Sequence, residues 1–163
     1  RVSILPPPMA KDLKNKAGTP RIVNKQARRL FHIDETLEAG LVLLGSEVKS
    51  IRLAKVNLKE GYVRVEDGEA WLVGVHISTY EQANKQNHEP MRRRKLLLHK
   101  KQITKLFGKV SRQGYTLIPM AMYFHRGKVK LEVGVGKGKK LHDKRHDQKE
   151  RDVKRELDRA RRR

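Results

Sequence analysis

From Lys128 to Val135 the chain alternates. Val129, Leu131, Val133 and Val135 are apolar, while Lys128, Lys130 and Glu132 between them are charged. A period of two means a strand with one buried face and one wet face. The same pattern recurs in LFHIDETLEAGLVLL, where Phe31, Ile33, Leu37, Ala39, Leu41 and Leu43 are expected to point inward. Glu35 breaks that row, so a bend is expected near it. GYVRV and AWLVGVHI alternate on either side of Glu66-Asp67-Gly68-Glu69. Asp-Gly is the signature of a two-residue type I′ hairpin. YTLIPMAMYF and KVKLEVGV flank His125-Arg126-Gly127, and Pro119 places its strand at an edge or a bulge.

Two segments have the helical period instead. Ser46 offers a cap to a short helix through EVKSIRLAK. Ile103, Leu106, Phe107 and Val110 recur at i, i+3, i+4 and i+7, which predicts a helix with one stripe on the core, stopped by Gly114. Residues 78–95 show no periodicity and read as a long functional or mobile loop. The sum is a mainly β chain: a small OB-like antiparallel β-barrel of about six strands with two or three short helices. Folds of this kind often bind oligonucleotides on their outer face.

Composition says what such a barrel meets. Lys and Arg number 39 against 18 Asp and Glu, a net charge of +21. Residues 1–26 carry +5, residues 27–136 carry +9 and residues 137–163 carry +7. A body that is itself strongly cationic repels itself, and a polyanionic partner relieves that repulsion. Nucleic acid fits best; an anionic membrane surface fits less well, because no basic helix has a bulky apolar face. Hydrophobic content of 37% and a mean hydropathy of −0.76 are low for a chain that folds end to end, so basic disordered extensions are expected at both ends. There is no cysteine, no apolar run of membrane-spanning length and no secretory leader in residues 1–20, which together predict a cytoplasmic protein.

Signs of catalysis are thin, and neither a cofactor nor a small-molecule substrate is expected. Glu47-Val48-Lys49 has the E-x-K spacing of some metal-dependent nucleases, but it lacks a partnered aspartate and reads as a solvated helix face. His142 and His146 stand at i, i+4 without further ligands, so no metal is predicted. Gly136-Lys137-Gly138-Lys139-Lys140 follows a final strand and lacks the frame of a phosphate loop.

Signs of binding are stronger. Arg92, Arg93, Arg94 and Lys95 form one basic cluster, and Lys137, Lys139 and Lys140 form another where the tail leaves the barrel. Cations at such rims neutralise phosphates. Glu38 is out of place on the polar face of a strand in so basic a protein. It reads equally as an acceptor for base amino groups or as a surface ion pair with Lys49. Aromatic residues are too few for a stacking platform, which favours a folded RNA read by shape. In the tail, Asp147 with Arg151 and Glu150 with Lys154 have the favourable i, i+4 order, and Val153, Leu157 and Ala160 draw a thin apolar line. Exposed helices of this length are marginal in water, so the tail is expected to become helical inside an anionic mould.

Seven motifs then resemble one family in order: Asn24-Lys25 with Ala27-Arg28, Leu37-Glu38-Ala39-Gly40, EVKSIR, KVNLKEGYV, RKLLLHK, GYTLIPM and GKGKKLHDKR. Together they resemble the SsrA-binding (small protein B) family, the bacterial partner of transfer-messenger RNA. Leu37 stands where phenylalanine is common in that family. The resemblance implies a barrel that grips the tRNA-like domain of transfer-messenger RNA at its D-loop side, with Asn24, Lys25, Glu38 and Leu97 on the RNA face. Arg28, Lys49, Arg92, Arg93, Arg94 and Lys128 complete the expected RNA-binding set. The resemblance also implies a tail that enters the empty messenger channel of a stalled ribosome, where Lys137, Lys139, Lys140, His142, Asp143, Lys144 and Arg145 act near the decoding centre. The expected division is an extension over 1–23, a barrel over 24–136 and a tail over 137–163. A permanent ribosomal protein and a metal nuclease centred on Glu47 are the competing readings.

Overall fold

The computed structural model describes residues 19–161, and within that span it leaves the side chains at 84–86, 141, 142, 144–147, 150, 151 and 154 undescribed. In chain order the elements are β1 (Ile22–Val23), α1 (Ala27–Leu30), β2 (Phe31–Leu41), α2 (Gly45–Arg52), β3 (Val56–Asn57), β4 (Tyr62–Glu66), β5 (Glu69–Val73), β6 (His76–Ile77), β7 (Arg94–Leu97), α3 (Lys100–Gln113), β8 (Thr116–His125), β9 (Lys128–Gly138) and α4 (Leu141–Ala160). A 3-10 turn spans Glu81–Gln86.

Strands β4, β5, β7, β2, β9 and β8 are hydrogen-bonded in that order, and β8 returns to β4, so six strands form a ring with antiparallel pairing throughout. This is the expected small barrel. The β8–β4 join is narrow, a single registered pair of Val63 and Leu117. Strand β1 adds beside β8, while β3 and β6 form a separate ribbon. The segment AWLVGVHI is thus two strands and not one, broken at Gly74, whose φ of 71° bends the chain. Both hairpin turns match their sequence signals: Asp67-Gly68 (φ 50° and 71°) and Arg126-Gly127 (φ 48° and 76°) have the two positive φ values of a type I′ turn.

Val129, Leu131, Val133 and Val135 are all buried, joined in the ring by Leu72, Leu96, Leu117 and Met122. The inward row of β2 is not one row. Register shifts by one residue between Ile33 and Glu35, a bulge centred on Asp34. Beyond it Leu37 and Ala39 pack on the main core, but Phe31 and Ile33 pack with Ala27, Ile118 and Met120 in a second cluster. Leu117 and Ile118 are adjacent on β8 and belong to different clusters, so the second cluster lies on the opposite side of the sheet. The extra residue of a bulge switches which face a row addresses. A second bulge, between Pro119 and Ala121, meets the expectation for Pro119.

Other expectations need correcting. Helix α2 starts at Gly45 with Leu44 as its N-cap; the cap is made by the Glu47 carboxylate, which accepts from Leu44 N at 2.8 Å. Ser46 instead bonds His88 Nδ1 at 2.9 Å. Helix α3 ends at Gly114 in the left-handed conformation, as the sequence predicts, but only half of its stripe is covered. Ile103 and Leu106 are buried, whereas Phe107 is 55% exposed and Val110 is exposed. The body is also larger than 24–136: Ile22 and Val23 pair with Met122 and Ala121, and β9 runs on to Gly138. After β9 the tail runs as one helix, α4, from Leu141 to Ala160. Asp143 accepts from Lys140 N at 3.3 Å and caps its start. The Asp147–Arg151 and Glu150–Lys154 pairs, like residues 1–18, lie outside the described residues.

Candidate nucleic-acid interface

Strand β2 sits between β7 and β9, and Gly40 is the registered partner of both Leu97 and Lys130. Side chains of Glu38, Leu97 and Lys130 therefore share an outward surface around a residue with no side chain. A Cβ at Gly40 would come within 3.1 Å of Leu97 Cβ, so glycine is what keeps this floor low. Leu97 is 55% exposed, unusual for a strand leucine. A cleft of about 500 Å³ opens here, lined by Glu38, Gly40, Lys95, Leu97, Lys100 and Lys130. A neighbouring one of about 380 Å³ continues past Lys128 and Val48. Glu38, Leu97 and Lys128, expected in one binding set from scattered motifs, thus border one surface.

Glu38 does not pair with Lys49. Its Oε1 lies 3.2 Å from Lys130 Nζ, and its Oε2 accepts from the Tyr123 hydroxyl. Burial would raise its pKa, but the hydrogen bonds from Tyr123 and Lys130 win and hold the carboxyl below its ordinary 4.5. Burial, with the bond to Glu38, pushes the Tyr123 hydroxyl well above its usual range, so it stays a donor. Lys49 stands over the Tyr80 ring, 5.1 Å from its centroid.

Three expected contact residues serve the fold. Arg94 is 0% exposed, as is Glu47. Arg94 donates from Nε to Glu47 Oε1 (2.7 Å), from Nη1 to Val75 O (2.8 Å) and from Nη2 to Pro90 O (2.9 Å). Arg92 Nη2 donates to Glu47 Oε2 at 2.7 Å. Glu47 is therefore not a solvated helix face but the centre of a buried ion cluster, and its oxygens are filled by protein. Burial opposes its charge, yet bonds from Arg92, Leu44 N and Arg94 hold its pKa below the ordinary 4.5. A group with no exposed surface cannot reach a phosphate, so Arg94 leaves the contact set. Asn24 is only 4% exposed. Its Nδ2 donates to Leu58 O (3.1 Å) and Pro119 O (3.0 Å), and its Oδ1 accepts from Gln26 N and Ala27 N, which pins the entry of α1 onto the bulge of β8.

Lys25 and Arg28 are exposed beside this pin. Arg93 is exposed too, but it pairs with Glu66 and covers Trp71, 5.4 Å from the ring centroid. At the root of the tail Lys137 Nζ lies 4.7 Å over the Tyr115 ring, and Tyr115 donates to Asp34 on the bulge at 2.7 Å. Lys139 N donates to Leu30 O at 2.8 Å and Lys139 Nζ to Arg28 O at 3.1 Å. Asp143 lies 3.9 Å from His32 Nε2. The side chains of His142, Lys144 and Arg145 lie outside the described residues. Among the described residues no three His, Asp or Glu gather as a metal site, and no helix is long and apolar enough to cross a membrane.

Sequence reasoning missed Tyr123, Lys130 and Arg21. Arg21 donates to Glu132 at 2.7 Å and lies 4.8 Å over the Tyr123 ring. The outward phase of Lys130 was legible, but its meeting with Glu38 needed the β2–β9 register. Tyr123 lies in a strand so apolar on both faces that periodicity assigns it no side.

Comparison with known proteins finds relatives over most of the chain. The family model described as SmpB protein matches residues 21–163. The SsrA-binding protein of Thermosynechococcus vestitus is 57% identical over 138 residues, covering 84% of this chain and 91% of that protein. Those of Roseiflexus castenholzii (53% identical; 88% and 92% covered) and Bacillus pumilus (53%; 84% and 88%) are similar. A solved structure described as "tmRNA-SmpB: a journey to the center of the bacterial ribosome" contains a chain that is 44% identical. It superposes with a TM-score of 0.64 over 76% of this chain and 87% of that one.

Proposed function

The chain belongs to the SmpB protein family, and on that premise we propose that it is a non-enzymatic RNA-binding adaptor of trans-translation in the bacterial cytoplasm. It binds transfer-messenger RNA and acts with it on the ribosome. The barrel holds the tRNA-like domain at its D-loop side through the cleft around Gly40, with Glu38 reading base edges and Leu97 offering an apolar wall. Lys25, Arg28, Lys100 and Lys128 neutralise phosphates. Helix α4 follows the empty messenger channel, its first turn, with Lys140 and Asp143, near the decoding centre.

The observation that carries this reading is the open cleft across β7, β2 and β9, where a half-exposed carboxylate and an exposed leucine share a rim of lysines. Lysines alone would serve any polyanion; a carboxylate among them repels phosphate and favours a ligand that brings its own N–H groups. The separation of that cleft from α4 supports two tasks for one chain.

Sequencing the RNA that co-purifies with the protein from cells tests the proposal. One small structured RNA is expected; stoichiometric recovery with ribosomal subunits and no such RNA would instead make this a permanent ribosomal protein. A chain ending at Lys140 keeps all of β9 and should bind a transcribed tRNA-like domain as the full chain does, yet fail to support tagging on stalled ribosomes. Equal loss of both activities would refute the division of labour.

A further inference from the structure

Glu38 is a surface carboxylate whose orientation is fixed from beneath. Tyr123 is 8% exposed, and it is the registered partner of Lys130 across β8 and β9. Its ring lies under the Arg21 guanidinium, 4.8 Å from the centroid, and Arg21 is itself tied to Glu132 at 2.7 Å. Glu132 in turn is the registered partner of Glu38. The phenol thus has little freedom, and its hydroxyl donates to Glu38 Oε2 while Lys130 Nζ approaches Oε1 at 3.2 Å.

Each carboxylate oxygen thereby receives one internal donor. A carboxylate has about four lone-pair sites, so roughly two stay free, one on each oxygen. The side chain is 42% exposed and borders the cleft with Gly40 and Leu97. What the surface presents is a pair of adjacent acceptors, charged and unable to donate. A phosphate cannot answer it, because acceptor would meet acceptor. A base edge that carries a ring N–H beside an amino group can, and its plane would lie against Leu97. The choice of tyrosine also has a reason: a neutral phenol orients the carboxylate without cancelling its charge, and a buried ring rotates less freely than a lysine chain.

We propose that Tyr123 is the positioning residue of this face: together with Lys130 it holds the Glu38 carboxylate as an acceptor pair aimed into the cleft, which takes a nucleobase by its N–H-bearing edge. This rests on the RNA-binding reading above.

A double-mutant cycle on the full chain tests it, with a transcribed tRNA-like domain of transfer-messenger RNA as the probe and an unrelated RNA of equal length as control. Tyr123→Phe should weaken binding about ten-fold, as loss of a hydrogen bond to a charged group does. The slope of affinity against salt should not change, since no phosphate contact is lost. In a Glu38→Ala background the same substitution should have almost no further effect, which a merely structural role for Tyr123 would not produce. Additive losses, a shallower salt slope or wild-type affinity for Tyr123→Phe would each overturn the proposal. If the wild-type chain fails to prefer the tRNA-like domain over the control, the RNA-binding reading fails instead. A measurement on the wild-type protein covers the case of a variant that does not fold. In a carbon-13 NMR titration the Tyr123 Cζ shift should follow the Glu38 carboxyl through its midpoint below 4.5; a Tyr123 signal indifferent to that midpoint would also overturn it.

Discussion

Glu38 on β2 and Glu47 on α2 belong to the same strongly basic chain, and each carboxylate takes bonds from two side-chain donors. Glu47 has no exposed side-chain surface, and Arg92, Arg94 and a backbone N–H occupy it. Glu38 keeps 42% of its side chain exposed and has acceptor capacity left over. The chemistry is shared, and burial separates the outcomes. A carboxylate enclosed with its cations becomes a fastener between α2, β7 and the loop before it. A carboxylate held from one side only remains available to a partner. In so cationic a chain, counting charges therefore says little about where RNA is gripped until one knows which cations are already committed.

The largest effect expected from this contrast is on stability. Glu47→Ala leaves Arg94 buried and unpaired and should cost about 3–5 kcal/mol in urea unfolding. Glu38→Ala should change the same midpoint little, since an exposed pair is worth at most about 1 kcal/mol. If the two variants unfold alike, the contrast is wrong. RNA affinity should show the reverse order. Glu38→Ala should weaken binding of the tRNA-like domain by about 1.5–3 kcal/mol in a filter or anisotropy titration, the range for hydrogen bonds to charged groups. A smaller expected effect comes from acid. The folded pKa of Glu47 is depressed, so its contribution is present above the ordinary 4.5 and is lost as pH falls through the folded value. Urea midpoints measured downward from pH 5 should fall more steeply in wild type than in Glu47→Ala. The loss should be less than that of truncation, because protonation removes charge but leaves the bonding atoms in place. The smallest effect concerns Lys128, exposed at the rim of the second cleft. Lys128→Ala should lower the salt slope by about 0.7–0.9 with stability unchanged.

Much of the barrel was legible because its signals are local. Alternation from Val129 to Val135 and the turns at Asp67-Gly68 and Arg126-Gly127 need only neighbouring residues to state their geometry. Strand β7 was hidden inside RRRKLLLHK, where a basic run meets an apolar one and neither period is visible. The ion cluster was hidden for a different reason. Glu47 and Arg94 lie 47 residues apart, and nothing near either one announces the other. Asn24 joins the expected contact set through the family resemblance and Arg94 through its basic run, whereas the structure uses both to satisfy buried backbone carbonyls. Glu38 stood out by itself, a carboxylate on the polar face of a strand in so basic a chain, whereas Leu97 entered only through the family resemblance. Glu38 is the wrong type for a routine strand surface here, and such a local misfit is where a site can be suspected before a fold is known.

The narrow join between β4 and β8 has a mechanical consequence. The ring is laced firmly along β2, β9 and β8, whose ladders run the length of the strands, and lightly at two joins, Val63 with Leu117 and Gly40–Leu41 with Leu96–Leu97. Thermal breathing would therefore start at these two joins, which bound the wall of β4, β5 and β7, as a clasp parts before the strap tears. The strands that carry Glu38, Lys130 and Tyr123 would remain laced together, so the grip on a ligand could outlast a loosening of the wall behind it.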